Sequence, residues 1–210
     1  MNYSKIQIIP TIFEKEFLEA ERRIKLIKDL TAWMQIDVID GKFLSGKTFE
    51  LELLTRIEGI EKNLLDIHLM VENPIKWINK CLFCQASRVI GQVEAIDDRD
   101  EFVKMVKDTG LEVGLGFDID TEIDEKIPKE TDVILLMARK AGFGNYKFDE
   151  GIFKKIERLI KIKKEMDLDF LIGIDGGVDI NHLVKLKQAR VDMIYSGSNY
   201  FDLIKNDKNS

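Results

Sequence analysis

Hydrophobic and polar positions along this chain follow two alternating periods. Short apolar runs rich in β-branched residues predict buried strands, whereas longer amphipathic stretches with apolar residues three or four apart predict helices. The apolar runs predict strands at residues 6–12, 33–39, 64–70, 88–93, 112–117, 132–138, 170–175 and 193–195. The amphipathic stretches predict helices at residues 16–30, 49–60, 74–84, 99–107, 121–127, 149–166, 181–188 and 200–205.

This alternation predicts an α/β protein with a parallel sheet covered by helices. Eight strand–helix units within 210 residues favour a closed (β/α)8 TIM barrel, although an open doubly wound sheet would show the same alternation. No linker or low-complexity segment divides the chain, so we expect residues 1–210 to form a single domain. In a barrel, the functional groups should lie where strands end and the following loops begin.

Composition narrows the class of protein. A hydrophobic fraction of 45% with 33% charged residues is typical of a soluble globular protein, and a net charge of -6 argues against a nucleic-acid partner. No apolar run approaches the ~20 residues of a membrane span, and no signal peptide is visible, so we expect a cytoplasmic protein without a membrane partner. Cys81 and Cys84 form a CxxC pair without a second pair, which predicts ordinary helical residues rather than a zinc site.

Glycine-rich segments follow the predicted strands six, seven and eight. Glycine lets backbone N–H groups approach an anion closely, and barrels often bind phosphate in the last two of these loops. Tight turns alone would also explain the glycines, but three clusters in adjacent loops favour a phosphate site. Arg139 and Lys140 follow strand six and could contact a phosphate, although such a basic pair is more often a solvated loop end. The segments contain Gly142, Phe143, Gly144 and Asn145, then Gly176 and Gly177, then Gly197 and Ser198.

Three residues whose side chains could act in catalysis or metal binding lie near the ends of predicted strands two, three and seven, namely Asp37, His68 and Asp175. A divalent cation between the two carboxylates, with His68 as a nitrogen ligand, would neutralise both charges. Carboxylates on opposite sides of a bound sugar could also exchange protons with its two faces. The alternative is that the aspartates cap loops and that His68 is a buried histidine whose ring nitrogens are hydrogen-bonded within the protein. Their convergence on one barrel mouth favours the functional interpretation.

The chain resembles the ribulose-phosphate 3-epimerase family over nearly its whole length. The most specific motifs are DVIDGKF at 37–43 and DIHLMVENP at 66–74, supported in order by GFG at 142–144, DGG at 175–177 and GS at 197–198. The resemblance implies a barrel of the ribulose-phosphate-binding type, with Asp37 and Asp175 as the catalytic acid and base. It also implies one divalent metal ion, zinc, manganese, iron or cobalt, held by Asp37, His68, Asp175 and Gln35.

The implied reaction interconverts ribulose 5-phosphate and xylulose 5-phosphate in the pentose phosphate pathway, by metal-assisted proton transfer at C3 through an enediolate. The phosphorylated ketose would contact Thr11, His68 and the glycine-segment residues named above, and the family implies a homo-oligomer. Gln35 replaces the family's fourth metal ligand, a histidine, and its amide oxygen is a weaker zinc ligand. This departure leaves two alternatives: an epimerase of another ketose phosphate, such as a hexulose 6-phosphate, or a non-catalytic sugar-phosphate-binding barrel with an impaired metal site.

Overall fold

The computed structural model describes residues 6–207 and contains a closed barrel of eight parallel strands. Each strand pairs with the next along the chain, and the last pairs with the first. The predicted (β/α)8 architecture is therefore confirmed, with strand boundaries within about two residues of the predicted ones. The strands are β1 Gln7–Ile12, β2 Trp33–Ile39, β3 Leu64–Met70, β4 Ala86–Gln92, β5 Glu112–Phe117, β6 Val133–Met137, β7 Leu171–Asp175 and β8 Met193–Ser196.

Six α-helices cover the outside of the barrel in the described part of the chain. They bury one apolar stripe each, as in the longest of them, where Ile152, Ile156, Leu159 and Ile162 are buried at helical spacing. None of the helices within residues 6–207 is both long and apolar enough to cross a membrane. The helices are α1 Phe17–Ile27, α2 Ile78–Phe83, α3 Arg99–Lys107, α4 Ile152–Glu165, α5 Ile180–Gln188 and α6 Tyr200–Asp207.

The α-helix predicted at residues 49–60 is wrong. This segment forms two short 3₁₀ helices, Leu51–Arg56 and Ile60–Lys62. From position 51 onward, its buried apolar side chains are Leu51, Leu54, Ile57 and Ile60, a spacing of three that matches the 3.0-residue turn of a 3₁₀ helix. Gly59, in the left-handed conformation at φ +80°, then interrupts the segment.

The helix predicted at residues 121–127 is also wrong, because the structure has no regular element there. The carboxylate of Asp124 accepts hydrogen bonds from the backbone N–H of Lys126 and from Arg99. A short polar side chain that bonds its own backbone in this way stabilises a turn at the expense of a helix. The loop after β5 is therefore held by side-chain contacts.

Two apolar cores lie on either side of the sheet. The larger one fills the space between the strands and the helices and includes Cys81 and Cys84, which are free and buried. Burial raises the pKa of the Cys84 thiol to about 11, as expected for a packing residue rather than a reactive one. The smaller core fills the barrel interior and contains Ile9, Ile39, Met70, Ile90, Val133, Leu135, Met137, Ala141, Met193 and Tyr195.

Candidate active site

Strand register brings Asp37, His68 and Asp175 together at the carboxyl ends of the strands. Asp37 on β2 lies directly opposite His68 on β3, and Asp175 is the last residue of β7. Their ligand atoms all lie within 4.8 Å of one another. All three residues are buried, with relative exposures of 6%, 0% and 7% respectively. The convergence predicted for these residues is therefore present in the structure.

Gln35 lies one pleat below Asp37 on β2 and connects the two carboxylates. Its Nε2 donates to Asp37 Oδ1 at 2.8 Å and to Asp175 Oδ2 at 2.7 Å. Its Oε1 is buried and has no hydrogen-bond partner among residues 6–207. The amide thus presents its nitrogen to the acids, whereas only its oxygen could bind a cation. A 180° rotation of the amide would exchange the two atoms.

The two ring nitrogens of His68 have different neighbours. Nδ1 lies 3.0 Å from Asp37 Oδ1. Nε2 lies 3.3 Å from the Gln92 oxygen, with the Gln92 amide oriented so that its nitrogen donates to the Gly116 carbonyl. When Nε2 donates to Gln92, Nδ1 faces a carboxylate and needs either a second proton or a cation. Burial opposes charging of the ring, but the hydrogen bond to Asp37 and its charge raise the pKa of His68.

Asp175 and Asp37 form a pair of like charges in a buried place. Burial first, and then the charge of Asp37, raise the pKa of Asp175 above its usual range, while His68, Gln35 and Arg139 act in the opposite direction. A neutral amide between two carboxylates does not compensate their charge. Two carboxylates and one imidazole nitrogen are a suitable donor set for a divalent metal ion, and the orphaned Gln35 oxygen could add a fourth ligand. The residues therefore fit a metal site.

A cavity of about 160 Å³ opens beside the two carboxylates, towards the loops after β7 and β8. Thr11, Gly176, Gly177, Gly197 and Ser198 line it, and their role in substrate binding stays a prediction. The Thr11 hydroxyl is buried and has no hydrogen-bond partner within the described residues, so a ligand could satisfy it. A larger cavity of about 470 Å³ lies at the start of α3, but its lining contains neither the convergent carboxylates nor His68.

Residues 142–145 of the loop after β6 do not line this cavity. The Phe143 ring stacks on Phe13 with centroids 4.3 Å apart, and Lys15 Nζ lies 4.7 Å from the same ring. Gly46 approaches so closely that a Cβ there would lie 2.6 Å from the Phe143 ring. The substrate contacts expected for Gly142, Phe143, Gly144 and Asn145 therefore stay a prediction.

Sequence reasoning missed one basic residue of the cavity. Arg139 after β6 and Arg23 on α1 both line it, whereas Lys140 is exposed and does not. The position of Arg139 directly after a strand, beside a glycine cluster, indicates a possible phosphate contact. A helical arginine such as Arg23 gives no such signal in the sequence.

Comparison with known proteins gives consistent matches over nearly the whole chain. The model of the ribulose-phosphate 3 epimerase family matches residues 7–201. A ribulose-phosphate 3-epimerase from Helicobacter pylori (strain J99) is 25% identical over 201 residues, which cover 94% of this chain and 91% of the relative. The enzyme of the same name from Synechocystis is 28% identical over 202 residues, with coverages of 94% and 88%.

Solved structures with similar folds are more distant in sequence. KGPDC from Streptococcus mutans superposes with a TM-score of 0.68 at 8% identity and covers 98% of this chain and 97% of its own. Phosphoribosyl anthranilate isomerase from Thermus thermophilus gives a TM-score of 0.64 at 10% identity, with coverages of 92% and 88%. At these identities the similarity establishes the barrel fold alone.

Proposed function

We propose, because this chain belongs to the ribulose-phosphate 3-epimerase family, that it is an isomerase that interconverts ribulose 5-phosphate and xylulose 5-phosphate. The observation that carries the proposal is the convergence of Asp37, His68 and Asp175 beside a glycine-lined cavity at the carboxyl end of the barrel. The reaction would belong to the pentose phosphate pathway. We also propose that the chain forms a single domain, that the protein is cytoplasmic and that it forms a homo-oligomer.

In the proposed mechanism, the two aspartates act on opposite faces of C3. One carboxylate removes the C3 proton, which leaves an enediolate, and the other, in its protonated form, returns a proton to the opposite face. The roles exchange when the reaction runs in reverse. Asp37 and Asp175 belong to β2 and β7, so a ligand in the cavity between these strands can contact both.

Asp37, His68 and Asp175 would hold the metal ion, with Gln35 as a fourth ligand through Oε1 after its amide has rotated. The ion, when bound, would supply Lewis-acid stabilisation of the negative charge that develops on the substrate oxygens. Gln92 would fix the His68 ring through Nε2, so that Nδ1 stays directed towards Asp37.

The Gln35 amide supports a second candidate function. Because Nε2 already bridges both carboxylates, the same geometry suits a barrel that binds a sugar phosphate without a metal and without turnover. An epimerase of another ketose phosphate, such as a hexulose 6-phosphate, is a variant of the first proposal. It would use the same aspartates with a different sugar.

Proton exchange distinguishes these candidates. Ribulose 5-phosphate is incubated in D2O with chelator-treated protein, alone and with zinc, manganese or iron(II), and the sugar is analysed by NMR after protein and metal are removed. We expect metal-dependent deuterium at C3 and xylulose 5-phosphate as product. Asp175→Asn should lower the rate by about 10²- to 10⁴-fold, whereas Asp169→Asn, an exposed acid outside the cavity, should not change it.

Folded protein that binds ribulose 5-phosphate but exchanges no proton with any of these metals would contradict the epimerase and support the binding function. Faster exchange with a hexulose 6-phosphate than with ribulose 5-phosphate would change the assigned substrate. Proton exchange without metal would still be consistent with the two aspartates as acid and base, and it would exclude the metal from the mechanism.

A further inference from the structure

Arg139 is a cation that lines the cavity, where its charge acts on the nearby Asp175 carboxylate. It follows β6, and its side chain passes over Gly176 so closely that a Cβ at Gly176 would lie 2.5 Å from Arg139 Cγ. It lines the cavity together with Asp175 and Gly177. Its guanidinium forms no hydrogen bond or ion pair with another residue between positions 6 and 207.

Other arginines of the protein have carboxylate partners at short distance. Arg88 pairs with Asp66 at 2.9 Å, Arg99 with Asp124 at 2.5 Å, and Arg158 with Glu125 at 2.9 Å. A guanidinium carries five N–H donors in a planar fork and is suited to bidentate recognition of an anion. An arginine that lines a ligand cavity with its donors unused is therefore placed to bind an anionic ligand.

Arg23 lines the same cavity. It lies on α1, where its Nη1 pairs with Glu14 Oε1 at 3.0 Å. Its Nη2 lies 3.7 Å from the position that a Cβ would occupy at Gly197. Arg139 thus stands against the glycine segment after β7 and Arg23 against the one after β8. One arginine thus lies beside each of the two loops that are expected to hold phosphate.

We infer that Arg139, with Arg23 as a second arm, binds the phosphate group of the substrate directly, in addition to the backbone N–H groups of the glycine segments. The identity of the sugar in this inference rests on the proposed function, whereas the binding of an anion by Arg139 does not depend on it. A bidentate arginine–phosphate contact is charge-assisted and fixes orientation as well as affinity. Arg139 is then a specificity-determining residue that favours phosphorylated over neutral sugars.

Binding of inorganic phosphate to the full-length protein tests the inference without turnover. Phosphate affinity is measured by calorimetry for wild type, Arg139→Gln, Arg139→Lys and the neighbouring control Lys140→Gln. We expect Arg139→Gln to weaken binding by about 10- to 100-fold, because a charge-assisted contact is lost. Arg139→Lys should retain part of the affinity, and Lys140→Gln should bind as wild type. Wild type that does not bind phosphate, or equal affinities of Arg139→Gln and Lys140→Gln, would overturn the inference.

Kinetics separate a phosphate contact from an effect on Asp175. If Arg139 holds the phosphate, Arg139→Gln should raise KM for ribulose 5-phosphate by about 10- to 100-fold and change kcat less. A fall in kcat at unchanged KM would instead show that Arg139 acts through Asp175, and it would contradict the inference. Loss of phosphate binding in Arg139→Gln, combined with a wild type that turns over no ketose phosphate, would support this inference while it refutes the proposed function.

Discussion

The barrel interior contains two clusters of buried charge, one towards each end of the strands, and their charges are compensated in different ways. Towards the amino ends of the strands, Arg88 Nη1 donates to Asp66 Oδ2 at 2.9 Å, and its Nε donates to Glu112 at 2.8 Å. The Tyr195 hydroxyl donates to the same Asp66 oxygen at 2.7 Å, and the Trp33 ring stacks 4.2 Å from the guanidinium. We call this cluster the Arg88 network.

The carboxyl-end cluster lies one step further along β2 and β3. Gln35 is opposite Asp66 in the register, and Asp37 is opposite His68. Here two buried carboxylates share one histidine and one neutral amide, and no arginine or lysine within residues 6–207 is hydrogen-bonded to either. The Arg88 network carries its own cation, whereas the site above it has a place for one. Both clusters bury their carboxylates, but only in the Arg88 network does a cation of the protein neutralise them. This difference distinguishes a structural cluster from a ligand-binding one.

The largest loss of stability should come from removing the cation of the Arg88 network. Arg88→Met leaves Asp66, which has 0% exposure, without its cation, and we expect the free energy of unfolding to fall by about 3–5 kcal/mol. Urea denaturation measures it. Arg158→Met, which removes an exposed ion pair with Glu125, is the matched control and should cost at most about 1 kcal/mol.

A double variant sharpens this result. Arg88→Met with Asp66→Leu removes both buried charges, so we expect it to recover part of the stability lost in Arg88→Met. A double variant as unstable as the sum of its single variants would show that packing around Trp33 and Tyr195, and not the uncompensated charge, determines the loss.

This comparison also shows what the sequence could and could not predict. The barrel follows from local periodicity, and the Asp37–His68–Asp175 convergence follows from placing strand ends in a barrel, so both were predictable. The Arg88 network depends on the register that aligns Asp66, Arg88 and Glu112 across three strands, and local patterns do not specify register. The direction of the Gln35 amide and the approach of Arg139 to Gly176 likewise depend on side-chain packing between distant segments.

Metal addition should stabilise the carboxyl-end site and leave the Arg88 network unaffected. For chelator-treated protein, we expect zinc or manganese at 100 to 1,000 times its dissociation constant to raise the free energy of unfolding by about 3–4 kcal/mol. Arg88→Met should retain this increment, because its network contributes no ligand. Asp175→Asn should lose most of it. An equal increment in wild type and Asp175→Asn, measured by urea denaturation with and without metal, would show that the ion binds elsewhere.

The smallest change in stability should come from removing the Gln35 amide, the neutral group between the two carboxylates. Gln35→Met removes the Nε2 donor from Asp37 and Asp175 at similar side-chain volume, and leaves both acids with one partner fewer. In metal-free protein we expect the free energy of unfolding to fall by about 1–3 kcal/mol, the cost of leaving buried acceptors unsatisfied. With metal bound, the variant would also lack the fourth ligand that we propose for Gln35, so the difference between wild type and variant should grow. Urea denaturation in both states measures this. An equal loss in both states would mean that Gln35 is not a ligand of the ion, and the contrast with the Arg88 network would then rest on the carboxylates and His68 alone.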